Sequence, residues 1–313
     1  MSMDRLLEKI VEKQNPTVAG LDPQLSYIPG CIREESYAKY GKTLEGAADA
    51  LLGFNKGLID ALCDIVPAVK PQAAYYEMYG WQGVRALAGT IAYAKSKGMF
   101  VITDGKRNDI GATMQAYAAG HLGETDVDGE TFEAFGADAL TVNGYLGTDG
   151  IQPLLNVCAG NDKGVFVLAK TSNPSSGEFQ DQMLHAMYEP LYRAMGNMCQ
   201  QWGLKLPGKY GYSGVGAVVG ATYPKQLKEL RKALPNTLFL VPGYGAQGGA
   251  AQDVAQGFDK NGLGAVVNSS RGIMCAWQKE NCAPEEYAAA ARREALRMRD
   301  EITACVGEIT LPR

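Results

Sequence analysis

The stretch Met99-Phe-Val-Ile-Thr-Asp104-Gly-Lys106-Arg-Asn-Asp109-Ile110-Gly-Ala-Thr113 runs from an apolar segment into a helical pattern that continues through Tyr117 and His121. It marks a place where a buried strand hands over to a helix. Asp104 and Lys106 are two apart, so on a strand that persists through them both side chains leave on one face. Asp109 and Thr113 are four apart and are expected to share one face of the first helical turn. Charges of mixed sign at Asp104, Lys106 and Asp109 are costly to bury beside an apolar strand unless they are paired. Alone, the stretch leaves two readings open. Asp109 can be only a helix N-cap, with Asp104 and Lys106 a strand-end ion pair, or the three can form a site that a ligand completes.

The same strand-then-helix unit recurs along the chain. Apolar runs cover about 17–22, 66–70, 99–104, 139–143, 164–171, 215–220, 238–242 and 264–268. Helical patterns cover about 43–64, 81–97, the residues after 109, 151–158, 183–202, 223–234 and 284–306. Residues 26–42 read as an irregular excursion, 123–129 as a surface turn and 131–135 as a short helix. The apolar runs are short and continuous, as strands buried on both sides should be. Eight such units at roughly 36 residues each predict an α/β fold, a (β/α)8 TIM barrel forming one domain over residues 1–313. An open doubly wound sheet is the competitor. It would place a Gly-x-Gly-x-x-Gly turn after the first strand, where Leu21-Asp-Pro stands instead.

Composition excludes several classes of function. Lys and Arg number 30 against 34 Asp and Glu, a formal charge of −4, so there is no basic field for nucleic acid. No apolar run is long enough to span a membrane. The start, Met1-Ser-Met-Asp-Arg-Leu-Leu-Glu-Lys, reads as an amphipathic helix and lacks the apolar core of a signal peptide. Seven scattered cysteines with no Cys-x-x-Cys suggest free thiols in a reducing cytoplasm. Neither His121 nor His185 has metal-ligand spacing to a Cys, His or carboxylate, and no Gly-x-Ser-x-Gly elbow appears. No metal or cofactor is expected.

Polar residues gather where the predicted strands end. Asp22, Lys70, Asp104 with Lys106, Ser172, Gln247 and Arg271 all lie at or just past those ends. In a (β/α)8 barrel the C-terminal strand ends converge on one mouth, where active sites sit. Gly243-Tyr-Gly-Ala-Gln-Gly-Gly after the seventh strand can bring backbone N–H groups to an anion. Arg271 after the eighth offers a guanidinium fork that matches phosphate.

These blocks resemble orotidine 5′-phosphate decarboxylase. Asp104-x-Lys106-Arg-x-Asp109-Ile110-x-x-Thr113 is similar to the family's signature, and the Lys-Arg pair resembles its longer bacterial branch. Gly20-Leu-Asp22, Val69-Lys70-Pro, Thr171-Ser-Asn-Pro174, Val241-Pro242-Gly-Tyr-Gly-Ala-Gln247-Gly-Gly and Ser270-Arg271-Gly are similar to its other blocks and stand in the same order. The resemblance implies cofactor-free decarboxylation to uridine 5′-phosphate, with Lys106 donating a proton to C6 of the pyrimidine. Lys70, Asp104, Lys106 and Asp109 would form an alternating charged array. Asp22 and Lys70 would touch the ribose hydroxyls, and Ser172 the pyrimidine. Gln247 and Arg271 would hold the phosphate, in the loops where Pro242 also lies. The family is dimeric, and Asp109 would reach the partner's site with Ile110 and Thr113 beside it.

Two other classes compete. Sister barrels include sugar-phosphate aldolases and synthases, some of them magnesium-dependent and others using a lysine such as Lys70 or Lys106 as a Schiff base. The Lys106-Arg107 pair and the Thr171-Ser-Asn-Pro block argue against both. A non-catalytic nucleotide-binding barrel would be favoured by a lost charge, yet all four charges are present.

Overall fold

In the computed structural model, which describes residues 2–245 and 248–312, the eight apolar runs are eight parallel strands. They are β1 (Thr17–Leu21), β2 (Ala68–Pro71), β3 (Phe100–Arg107), β4 (Ala139–Val142), β5 (Gly164–Lys170), β6 (Val215–Val219), β7 (Phe239–Pro242) and β8 (Ala265–Ser269). Each pairs with the next, and β8 pairs with β1, so the sheet closes into a barrel. Closure removes both sheet edges. Helices α1 (Ser2–Lys13), α2 (Gly30–Tyr40), α3 (Leu44–Leu62), α4 (Gly80–Ser96), α5 (Gly111–Leu122), α6 (Thr148–Asn161), α7 (Leu191–Gly203), α8 (Pro224–Ala233) and α9 (Tyr287–Val306) are the longer helices among the described residues. The (β/α)8 architecture expected from the sequence is the one observed.

Strand alternation sorts the core into two layers. Val18, Ala68, Phe100, Ile102, Ala139, Phe166, Val218, Leu240 and Val266 fill the barrel interior. Their sequence neighbours, such as Ala19, Val69, Val101 and Leu140, pack outward against the helices. The buried face of α1, Met3, Leu6, Leu7 and Ile10, joins the interior cluster. A Cβ on Gly164, the first residue of β5, would come within 2.8 Å of Met3. So α1 plugs the N-terminal end of the barrel, each of those apolar side chains contributing roughly 1.5–3 kcal/mol by burial. The opposite end is left for polar chemistry.

Several local expectations are corrected. Residues 26–42 are not irregular: α2 occupies Gly30–Tyr40, between Pro29 and Gly41, whose φ of +69° ends it. Its weak apolar periodicity hid it, and a Glu35–Lys39 pair at 2.7 Å supports its exposed face. The short helix expected over 131–135 is a strand, Glu130–Phe132, paired antiparallel with Thr125–Val127. Asp128 and Gly129 both take positive φ, the Asp-Gly hairpin turn. The helix expected over 183–202 begins only at Leu191, after Pro190. Before it Met183–Leu184 pairs with Glu189–Pro190, because proline cannot continue a helix interior. Pro71 closes β2 as its last residue instead of following it.

Candidate active site

At the open end of the barrel is a cavity of about 550 Å³. Asp22, Lys70, Asp104, Lys106, Ser172, Pro242 and Arg271 all line it. Gln247 lies outside the described residues. Asp109, Ile110 and Thr113 do not line the cavity; they stand outside it, with Ile110 and Thr113 exposed. Asp109 also lies before α5, which starts at Gly111, so it shares no helical turn with Thr113 and is not the N-cap. Its Oδ1 accepts from the N–H of Ile110 at 2.8 Å, and Gly111, at φ +53°, turns the chain into the helix.

Parity explains the lining. Interior residues alternate along each strand, so Ala68 leads to Lys70, and Phe100 and Ile102 lead to Asp104. Small residues are also needed in β1 and just past the end of β6, where chains converge. A Cβ on Gly20 would meet Ser270 Oγ at 1.9 Å, and one on Gly220 would meet the Ser172 backbone at 2.8 Å.

Asp104 is the centre of the charge. Lys70 Nζ donates to its Oδ2 at 2.6 Å, and Lys106 Nζ donates to its Oδ1 at 2.6 Å. Lys70 and Asp104 are buried, while the Lys106 side chain is 45% exposed to the cavity. Burial pushes the Asp104 carboxyl up, but the two ammonium groups outweigh it and hold the group far below the usual carboxylate range. Burial likewise pulls Lys70 down, and the charges of Asp104 and Asp22 more than restore it, leaving its pKa raised. Both lysines therefore sit beside a permanent anion. Asp22 Oδ1 is buried without a hydrogen-bond partner among the described residues, an acceptor that a ligand hydroxyl can satisfy.

Three residues were not singled out from the sequence. Thr141 lines the cavity and donates to Asp104 Oδ1 at 2.8 Å. Asn268 lines it too, with its Oδ1 unpartnered among the described residues. Counting by twos from Ala139 and Val266 reaches both, so strand parity was the available signal. Lys170 is the third. A register shift between β5 and β6 turns it out of the mouth, fully buried, with Nζ 2.7 Å from Asp181 and 4.3 Å from the Tyr223 ring centre. The Tyr223 hydroxyl donates to the Asn173 carbonyl at 3.1 Å, and Ser176 Oγ donates to that hydroxyl at 3.0 Å. The loop carrying Ser172 is thus fastened at both ends. In the glycine loop, the N–H groups of Gly245, Gly248 and Gly249 donate to carbonyls of the loop itself. Those three amides are committed within the loop, and Arg271 lines the cavity on the same side.

Residues 52–283 match the family described as Orotidine 5'-phosphate decarboxylase / HUMPS family. An orotidine 5'-phosphate decarboxylase from Rhodopirellula baltica is 45% identical over 271 residues, 87% of each chain. One from Clostridium perfringens is 40% identical over 309 residues, 98% of this chain and 99% of the other. Among solved structures, Leishmania donovani OMP decarboxylase superposes with a TM-score of 0.75 at 30% identity, covering 98% of this chain and 99% of its own. With a matching family, relatives of near-equal length and a barrel whose mouth carries Asp104 and Lys106 of the signature, this chain belongs to the orotidine 5'-phosphate decarboxylase / HUMPS family.

Proposed function

We propose that this chain decarboxylates orotidine 5′-phosphate to uridine 5′-phosphate, with Lys106 as the proton donor. The observation that carries the reading is the Lys70–Asp104–Lys106 chain of contacts at the cavity, two ammonium groups on one buried carboxylate at 2.6 Å each. Loss of carbon dioxide from C6 leaves a carbanion that the pyrimidine ring delocalises poorly. An enzyme must then supply on the order of 20 kcal/mol of barrier reduction. A lysine ammonium suits the task, being both a point charge that stabilises the carbanion and an acid that quenches it. Asp104 aims the Lys106 ammonium, and needs no reorganisation as charge develops. The same buried anion disfavours a substrate carboxylate placed beside it, more than it disfavours the departing neutral carbon dioxide.

In this reading Asp22 and Lys70 hold the ribose hydroxyls, which accounts for the unpartnered Asp22 Oδ1. Ser172 faces the pyrimidine, and Arg271, with Gln247, holds the phosphate beside Pro242. The phosphate is remote from the breaking bond, so its binding energy can organise the site for the transition state. Asp109, Ile110 and Thr113 serve the site of a second copy. Support for that assembly is an exposed apolar surface near Asp109: Ile110, Leu146, Tyr145 and Phe179 are each more than two-fifths exposed. The Tyr145 and Phe179 rings lie 6.1 Å apart at a tilt of 57°, and Leu146 and the Asp109 carbonyl both border Gly150. Apolar surface of this kind is what a partner covers.

The test is carbon dioxide release from orotidine 5′-phosphate by purified, exhaustively chelated protein, with Lys106→Ala in parallel. Rapid turnover by the wild type and at least a thousandfold loss in the variant, with uridine 5′-phosphate still bound, is expected. Turnover that vanishes on chelation and returns with magnesium would contradict the proposal. The magnesium-dependent sugar-phosphate reading would gain from that outcome.

A further inference from the structure

We propose that Thr141 is a positioning residue for Lys106, its hydroxyl fixing the bulged end of β3 so that the ammonium meets Asp104. The inference rests on the reading of Lys106 as proton donor and adds a residue to it. Between the pairs Thr103↔Leu140 and Arg107↔Val142, β3 spends four residue steps where β4 spends two. The surplus bulges, and Lys106 sits in it at φ +48°, a left-handed value that a non-glycine residue keeps only when its surroundings hold it. Bulges re-aim side chains beside active sites, at the cost of backbone groups that lose their ladder partners.

Thr141 is the β4 residue opposite the bulge, and it is 1% exposed. The N–H of Lys106 donates to Thr141 Oγ1 at 3.0 Å, and that hydroxyl donates its own proton to Asp104 Oδ1 at 2.8 Å. A hydroxyl has one proton to give. Giving it to the carboxylate leaves a lone pair for the amide, so both directions are fixed. The contacts close a ring: Lys106 backbone to Thr141, Thr141 to Asp104, Asp104 to Lys106 Nζ. Arg107 braces the same bulge from outside the barrel, its Nη1 donating to the Gly105 carbonyl at 2.9 Å.

The ring has a consequence for turnover. When Lys106 gives a proton to the ring carbon, Asp104 still accepts from Thr141 at Oδ1 and from Lys70 at Oδ2. The anion and the bulge stay in place, and the neutral amine takes its next proton from solvent at the same spot. Among the described residues, Thr141 is the side chain that hydrogen-bonds both the Lys106 backbone and its counter-ion.

Thr141→Val keeps the shape and removes the hydroxyl; Thr141→Ser keeps the hydroxyl and removes the methyl. The inference expects kcat for orotidine 5′-phosphate to fall about 10–100-fold in T141V, with KM and uridine 5′-phosphate affinity within about threefold of wild type. T141S should return kcat to within about threefold. Should T141V fail to fold, T141A carries the same expectation and T141S the same rescue. A T141V kcat within threefold of wild type overturns the inference, as does equal loss in T141V and T141S, which would make the fit of the whole side chain, and not the hydroxyl, the active part. Lys106→Ala separates this inference from the reading beneath it. If that variant keeps wild-type turnover, the proton-donor reading fails; if it is dead while T141V is fully active, only the role of Thr141 fails.

Discussion

Asp104→Asn removes the anion at the centre of the array while keeping its volume and an acceptor for Thr141. Lys70 and Asp104 are 4% and 6% exposed and 2.6 Å apart. Removing one partner of a buried pair costs about 3–5 kcal/mol, because the other charge stays buried. The contact with Lys106, whose side chain is 45% exposed, adds under about 1 kcal/mol. At about 2 °C per kcal/mol for a chain this long, Tm should fall by about 6–10 °C. The sign of the pH dependence follows from the two shifts. The depressed Asp104 pKa stabilises the fold above the ordinary carboxyl value near 4, and that contribution fades as pH falls toward the native value. The raised Lys70 pKa contributes fully below about 10 and is lost above it. The stability gap between wild type and D104N should therefore be flat from about pH 5 to about pH 9 and narrow below about pH 4. Urea unfolding followed by tryptophan fluorescence at pH 7 and pH 3.5 measures it. A variant as stable as wild type at pH 7, or a gap equal at both pH values, would refute the reasoning.

Two more outcomes are expected at the rim of the site. Arg271→Ala should raise KM for orotidine 5′-phosphate about 10–100-fold, the worth of lost charge-assisted hydrogen bonds. It should leave the slow reaction of the phosphate-free nucleoside unchanged, and an equal loss on both substrates would place Arg271 elsewhere. Lys170→Met should free the loop that carries Ser172, seen as faster limited proteolysis within residues 177–188 and a several-fold rise in KM. Tm should move by only a few degrees, since an apolar residue replaces a buried charge. Unchanged cleavage would mean that the Asp181 latch holds nothing.

The barrel was legible because strands buried on both faces leave short apolar runs that few other arrangements produce. The polar residues at their ends were legible for the same reason: Asp22, Lys70, Asp104, Lys106, Ser172, Pro242 and Arg271 converge as the strands do. What escaped was set by single-residue geometry. Thr141 and Asn268 look like ordinary strand residues until one knows which parity faces inward. Lys170 belongs by parity to the interior, and a register shift with β6 turns it away. The hairpin over 183–190 has helix-like spacing of Met183, Leu184, Met187 and Leu191, but its methionines are exposed and no neighbour rewards a helix there. The Asp128-Gly129 turn carried a hairpin signal that the polar composition of 123–129 masked. Helix α2 has too few apolar residues to show a period.

Subunit mixing tests most directly whether a second copy completes the charged site. Lys106→Ala and Asp109→Ala are each expected to be inactive as pure proteins. A mixed dimer would hold one site with both changes and one with neither. Unfolded together in equal amounts and refolded, the two variants should recover about a quarter of wild-type activity per site, since half the dimers are mixed. Recovery indistinguishable from zero, with mixed dimers shown to be present, would place Asp109 in its own chain's site or in none.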